Sequence, residues 1–133
     1  MKLAALATAA LLASGSAQAL TAAEFQSSLA IAAKAAEPGF AGFSAERGAA
    51  FYRSTHGGDW SCATCHTDSP TRSGSHAVTG KSVKPISPTA NPERFTSADK
   101  IDKWFRRNCN DVLKRACTPR EQGDFIAYLL SVK

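Results

Sequence analysis

Cys62-Ala63-Thr64-Cys65-His66 sets two thiols three positions apart, with an imidazole directly after the second. On one helical turn such thiols reach the two vinyl groups along one edge of a haem, and the histidine comes under the iron. The spacing predicts one covalent haem c held by Cys62 and Cys65, with His66 as proximal iron ligand through a neutral imidazole nitrogen. A carbonyl of the following loop is expected to hold the other ring nitrogen. A small chain carrying such a disc has to fold around it.

Two other uses of the cysteine pair fit less well. A haem-free thiol-disulfide oxidoreductase needs a strand-helix framework, and no alternating strand pattern is present. A zinc site of Cys62, Cys65, Cys109 and Cys117 would need a second pair spaced by about two to four residues. Seven residues separate Cys109 from Cys117.

The start of the chain bears on compartment. Met1 and Lys2 make a short basic start, Leu3 to Ala13 is apolar, and Ala17-Gln18-Ala19 is a small-x-small cleavage signal. Residues 1–19 thus have the pattern of a cleavable secretory signal, with an apolar run too short to span a bilayer. No later stretch is apolar enough to cross one. The expected product is a periplasmic single domain over 20–133, with 114 residues, 15 basic and 11 acidic side chains, and no methionine. A net charge near +4 without a nucleic-acid motif gives no reason to expect DNA binding.

The remaining pattern is helical. Thr21 to Glu24 fits a capping box ahead of Phe25, Leu29, Ala32 and Ala36, and Glu37-Pro38-Gly39 stops that helix. Ser44 can cap a second helix carrying Gly48, Phe51 and Tyr52. From His66 to about Pro92 the chain is rich in Ser, Thr, Gly and Pro, which makes regular helix and long strands improbable. A loop that long in a small domain needs a reason, and wrapping a cofactor is one. A third helix is expected from Thr96 as cap, with Ile101, Trp104 and Phe105 as its apolar stripe. Thr118-Pro119-Arg120-Glu121 opens a fourth with a broad apolar face from Phe125 to Leu130. The fold expected is all-α.

Without a methionine the sixth iron position needs another ligand, water, or nothing. With about 100° per residue from Ile101, Asn108 falls near 340°, between Trp104 near 300° and Phe105 near 40°. Asn108 continues the apolar stripe, so it faces the iron or else caps the helix C-terminus in a left-handed turn. His56 and His76 are rival ligands, each read more simply as a solvated loop histidine. Cys109 and Cys117 remain after haem attachment, and export favours a disulfide between them. A continuous helix would hold their α-carbons about 12 Å apart, against the roughly 7 Å a disulfide spans. The third helix is therefore expected to end near Cys109.

The order of first core helix, C-x-x-C-H, wrapping loop and C-terminal helix resembles the class I cytochromes c, here with an extra N-terminal helix. Gly48 and Tyr52 stand at that group's G-x-x-x-aromatic positions, where the C-terminal helix would cross at Tyr128 and Leu129. The Ser54 to Trp60 link is longer than usual. Thr79-Gly80-Lys81, Asn91 to Thr96, Lys103 to Cys109 and Arg115 to Thr118-Pro119 are similar to the sphaeroides haem protein (SHP) family, over most of the chain from Ser44 onward. That resemblance implies Asn108 as distal ligand of ferric haem and Cys109–Cys117 as the neighbouring disulfide. It also implies loss of the asparagine ligand on reduction, then binding of O2 or NO. Electrons are implied to come from dihaem c-type or membrane b-type cytochromes. No residue singles out a turnover reaction with oxygen or nitric oxide, so the function expected is electron transfer and diatomic ligand binding. A simple electron carrier with Asn108 as bystander is the alternative. Lys100, Lys103, Arg106, Arg107, Lys114 and Arg115 form a basic cluster fit to steer an acidic partner, or simply a solvated face.

Overall fold

The computed structural model describes residues 20–133, so the signal expected over 1–19 lies outside the described residues. Five helices are described: α1 (Ala22–Ala36), α2 (Ala45–Arg53), α3 (Cys62–His66), α4 (Ala98–Leu113) and α5 (Pro119–Ser131). A two-stranded antiparallel hairpin, β1 (Gly74–Ser75) with β2 (Ser82–Val83), interrupts the long loop. The architecture is all-α in its packing, and the hairpin is a clip within the loop rather than a layer. None of the described helices is long and apolar enough to cross a membrane.

Local chemistry places the helix starts. Thr21 and Glu24 close a capping box on α1, as do Thr118 and Glu121 on α5, where Pro119 takes the first turn. Each box satisfies backbone N–H groups that a helix start leaves unpaired. Two expectations shift. On α1 the buried line is Ala22, Phe25 and Ala33 with Leu29 partly covered, while Ala32 and Ala36 face outward. On α4 the N-cap is Ser97 rather than Thr96, whose hydroxyl instead donates to the Glu93 carbonyl at 3.1 Å.

Helices α2 and α5 cross where Gly48 has no side chain. A Cβ there would run into the Asp124 carbonyl and come within 2.9 Å of the Tyr128 Cβ. The crossing brings Tyr52, Phe125, Ile126, Tyr128 and Leu129 into one core, with Ile86 from the loop and Ile101 from α4. Asp124 is buried there. It accepts from the Ser44 N–H at 2.7 Å and pairs with Arg47 through Nε at 2.7 Å and Nη2 at 2.8 Å, tying the start of α2 to α5. Gln26 joins α1 to α5 by donating to the Gly123 carbonyl at 2.8 Å. Gly48→Val is expected to lower stability by at least about 2 kcal/mol, because overpacking against backbone has no side chain to yield. Thermal unfolding checks this, and an unchanged midpoint would mean that the helices do not meet there.

The long loop is pinned from inside. Ser87 is fully buried and donates to the Leu129 carbonyl at 2.9 Å. The N–H groups of Ile86 and Ser87 both bond the Pro70 carbonyl, each at 3.0 Å. Helix α4 runs four residues past Cys109, contrary to the sequence expectation, and stops at Lys114 in the left-handed conformation with φ 59°. That turn reverses the chain, so Cys117 returns beside Cys109 with 5.6 Å between α-carbons, and the two form a disulfide. The bridge thus links a helix interior to the strand-like lead into α5, without shortening α4.

Candidate haem site

Ser61 caps α3 through a box with Thr64, so the single turn Cys62–His66 is held at its start despite its length. Both cysteines are free thiols and half-buried. Burial pushes the Cys62 thiol up to about 11. An oxidoreductase thiol needs the opposite shift, and the zinc quartet is lost because Cys109 and Cys117 are bonded to each other. Burial first, then the charge of Arg94, pushes the His66 imidazole down to about 4. It is neutral over the ordinary pH range, as an iron-ligating imidazole must be.

The expected carbonyl partner of His66 is missing: its Nδ1 is buried with no hydrogen-bond partner. Three carbonyls of the following loop have other partners. Tyr52 donates to Thr67 O at 2.7 Å, Pro70 O takes two backbone N–H groups, and Pro85 O takes Arg94 Nε at 3.0 Å and Asn91 Nδ2 at 3.2 Å. The hairpin backs the motif from the other side. A Cβ on Gly74 would strike the Cys65 carbonyl and approach the His66 Cα to 3.1 Å, and the Ala77 N–H points at Cys65 Sγ at 3.3 Å.

The buried side of α4 is Ile101 and Cys109, with Phe105 half-covered and edge-on to Phe125 at 5.7 Å. Trp104 and Asn108 lie one turn apart on the flank of that stripe, and both are exposed. The left-handed cap reading of Asn108 fails, since it sits inside the helix and Lys114 takes that conformation. Trp104 is 48% exposed and Trp60, just before the motif, 38%. Trp60 adjoins the motif and Trp104 stands one helical turn before Asn108, so both are large apolar side chains that a bound apolar group could cover. The neutral imidazole, the paired free thiols and these uncovered rings fit haem.

The rival histidines are otherwise engaged. His56 is half-buried rather than solvated; its Nε2 bonds the Phe51 carbonyl at 3.0 Å and its ring lies tilted against that of Phe51, 4.6 Å between centres. His76 is exposed at the hairpin tip, where Nδ1 accepts from the N–H of Val78 at 3.2 Å and of Thr79 at 3.3 Å. Two residues around the motif carry no strong sequence signal, Gly74 and Thr67. Gly74 looks like any loop glycine, and Thr67 meets Tyr52 only through the fold.

Residues 38–129 match the family described as "Domain of unknown function (DUF1924)". Cytochrome c'' of Methylophilus methylotrophus is 42% identical over 80 residues, which cover 60% of this chain and 56% of that protein. The chain therefore spans little more than half the length of that relative. The cytochrome c-type protein SHP of Cereibacter sphaeroides is 46% identical over 89 residues, 64% of this chain and 68% of that one. The structure of oxidized SHP, described as an oxygen binding cytochrome c, superposes with a TM-score of 0.74 at 39% identity, over 84% of this chain and 96% of the other. The solution structure of the same cytochrome c'', described as bearing on haem-ligand detachment, gives a TM-score of 0.72 at 36% identity, over 83% and 92% of the two chains.

Proposed function

The chain belongs to the DUF1924 family and to the SHP family of c-type cytochromes, and from that premise we propose an exported single-haem protein whose distal ligand, Asn108, lets go on reduction and admits oxygen or nitric oxide. The observation that carries the reading is the position of Asn108: inside α4, one turn after Trp104, exposed, and with no side-chain hydrogen bond among the described residues. The chain's one methionine is Met1, so residues 20–133 offer no methionine sulfur.

Bound haem would supply a one-electron iron centre. Cys62 and Cys65 would anchor it through thioethers, and His66 would offer it a neutral nitrogen. Asn108 would offer an amide oxygen, a hard and weak donor that suits ferric iron better than the softer ferrous ion. On this reading Asn108 would hold in the oxidised state and release in the reduced one, a difference in affinity that sets the population of the open form. Its amide N–H, once free, would be a hydrogen-bond donor for an entering diatomic. The disulfide from the next residue, Cys109, to Cys117 limits how far the helix around Asn108 can move.

Export rests on the pattern of residues 1–19, and the periplasm is the compartment that follows from it. The electron comes from another cytochrome, of dihaem c-type or membrane b-type. Lys100, Lys103, Arg106 and Arg107 are exposed on α4, so an acidic donor would associate more slowly as salt rises.

Visible spectra of oxidised and dithionite-reduced protein, then with carbon monoxide, test the reading. The expected result is a six-coordinate ferric form, a five-coordinate ferrous form, and prompt uptake of carbon monoxide only after reduction. A ferrous form that stays six-coordinate and ignores the gas identifies a simple electron carrier.

A further inference from the structure

We propose that Tyr52 is the positioning residue for His66: its hydroxyl, by holding the Thr67 carbonyl, keeps the residue after the axial ligand in a backbone conformation that threonine does not choose by itself. The proposal rests on the reading of His66 as proximal ligand.

Thr67 has φ 64° and ψ 173°. That region is almost reserved for glycine, and a β-branched side chain is poorly suited to it. Such a conformation persists only where the surroundings over-determine it, and they do. Tyr52 Oη donates to Thr67 O at 2.7 Å, Thr67 Oγ1 donates to the Ser69 carbonyl at 2.9 Å, and the Ser69 N–H returns to Thr67 Oγ1 at 3.2 Å.

Tyr52 is itself immobile. It is fully buried, with Tyr128 at 5.4 Å and Phe125 at 6.2 Å between ring centres, on the helix whose height over α5 is set at Gly48. Burial raises its phenol well above the usual range, so it stays protonated and can only donate to a carbonyl.

The need for such a clamp comes from the imidazole. A ligating histidine is ordinarily oriented by a partner on its second ring nitrogen. His66 Nδ1 is buried and has none among the described residues. Ring direction must then be set through the backbone. On one side Gly74 packs against Cys65 and His66, and on the other Tyr52 holds the peptide that follows. The helix crossing thereby reaches the axial ligand through one hydroxyl.

The test is resonance Raman of dithionite-reduced holoprotein, read at the iron–histidine stretching band. Tyr52→Phe is expected to keep its covalent haem while that band shifts and broadens, as the imidazole samples more than one direction. The Tyr52→Phe, Thr67→Gly double variant is expected to return towards the wild-type band, since glycine adopts the conformation without strain. A Tyr52→Phe band at the wild-type position and width overturns the proposal, as does a double variant no closer to wild type than the single one. If Tyr52→Phe fails to accumulate, Thr67→Gly alone decides. A wild-type band and an unfolding temperature no lower than wild type support the clamp, and a shifted band or earlier unfolding overturns it. A red wild-type protein with no iron–histidine band when reduced refutes instead the proposed five-coordinate ferrous state with His66 as its one axial ligand.

Discussion

A Cys62→Ala, Cys65→Ala double variant is expected to emerge without covalent haem, so that its intact mass equals that of the polypeptide alone and denatured protein is colourless. The thiols are the only two free ones among the described residues, on one capped turn beside His66. Without the disc, Trp60 and Trp104 stay in water and the wrapping loop is left with its protein contacts, such as Ser87 to the Leu129 carbonyl. The domain is small, and a loss of 1 kcal/mol moves the midpoint of such a domain by about 4–8 °C. A fall of at least about 10 °C is therefore expected, equivalent to roughly 2 kcal/mol of lost packing. Haem that survives acid-organic extraction of the variant would place attachment elsewhere and undo the reading of the motif.

Asn108→Ala is expected to convert the oxidised spectrum from that of a six-coordinate asparagine-ligated haem to one with water or no distal ligand. The reduced spectrum should change little, because on the proposed reading Asn108 is already released there. This asymmetry separates a redox-released ligand from a structural asparagine, which would disturb both states or neither. Oxygen is expected to leave the reduced variant about five times faster, since one hydrogen bond contributes on the order of 1 kcal/mol. The variant should unfold close to wild type, as the side chain is exposed and makes no hydrogen bond among the described residues. An unchanged oxidised spectrum would move the distal position to water or His76. His56 is the poorer substitute, with its Nε2 on the Phe51 carbonyl at 3.0 Å.

Helix starts were legible because each depends on a few adjacent residues: Thr21 with Glu24, Ser44 with Arg47, and Thr118 with Glu121. The end of α4 was not. Chain length between Cys109 and Cys117 was read as a reason to stop the helix, whereas a left-handed Lys114 lets the helix continue and still returns the chain. Lysine carries no signal for that conformation, which asparagine or glycine would have advertised. His56 was similarly misread as solvated, since its half-buried place depends on Phe51 folding over it. The hairpin was missed because two-residue strands have no alternation to detect.

The order of residues by itself determined the chemistry on offer: paired thiols with an adjacent imidazole, no methionine beyond the first position and an all-helical pattern. These are properties of neighbouring side chains or of composition, and they need no knowledge of distant contacts. The tertiary structure alone decided how the imidazole is steadied. Tyr52 and Thr67 lie 15 positions apart, and Gly74 meets Cys65 only after the loop has turned back. Hydrogen bonds and close backbone approaches of that kind exist only once the helices have packed, because burial is what denies each donor and carbonyl the alternative of water.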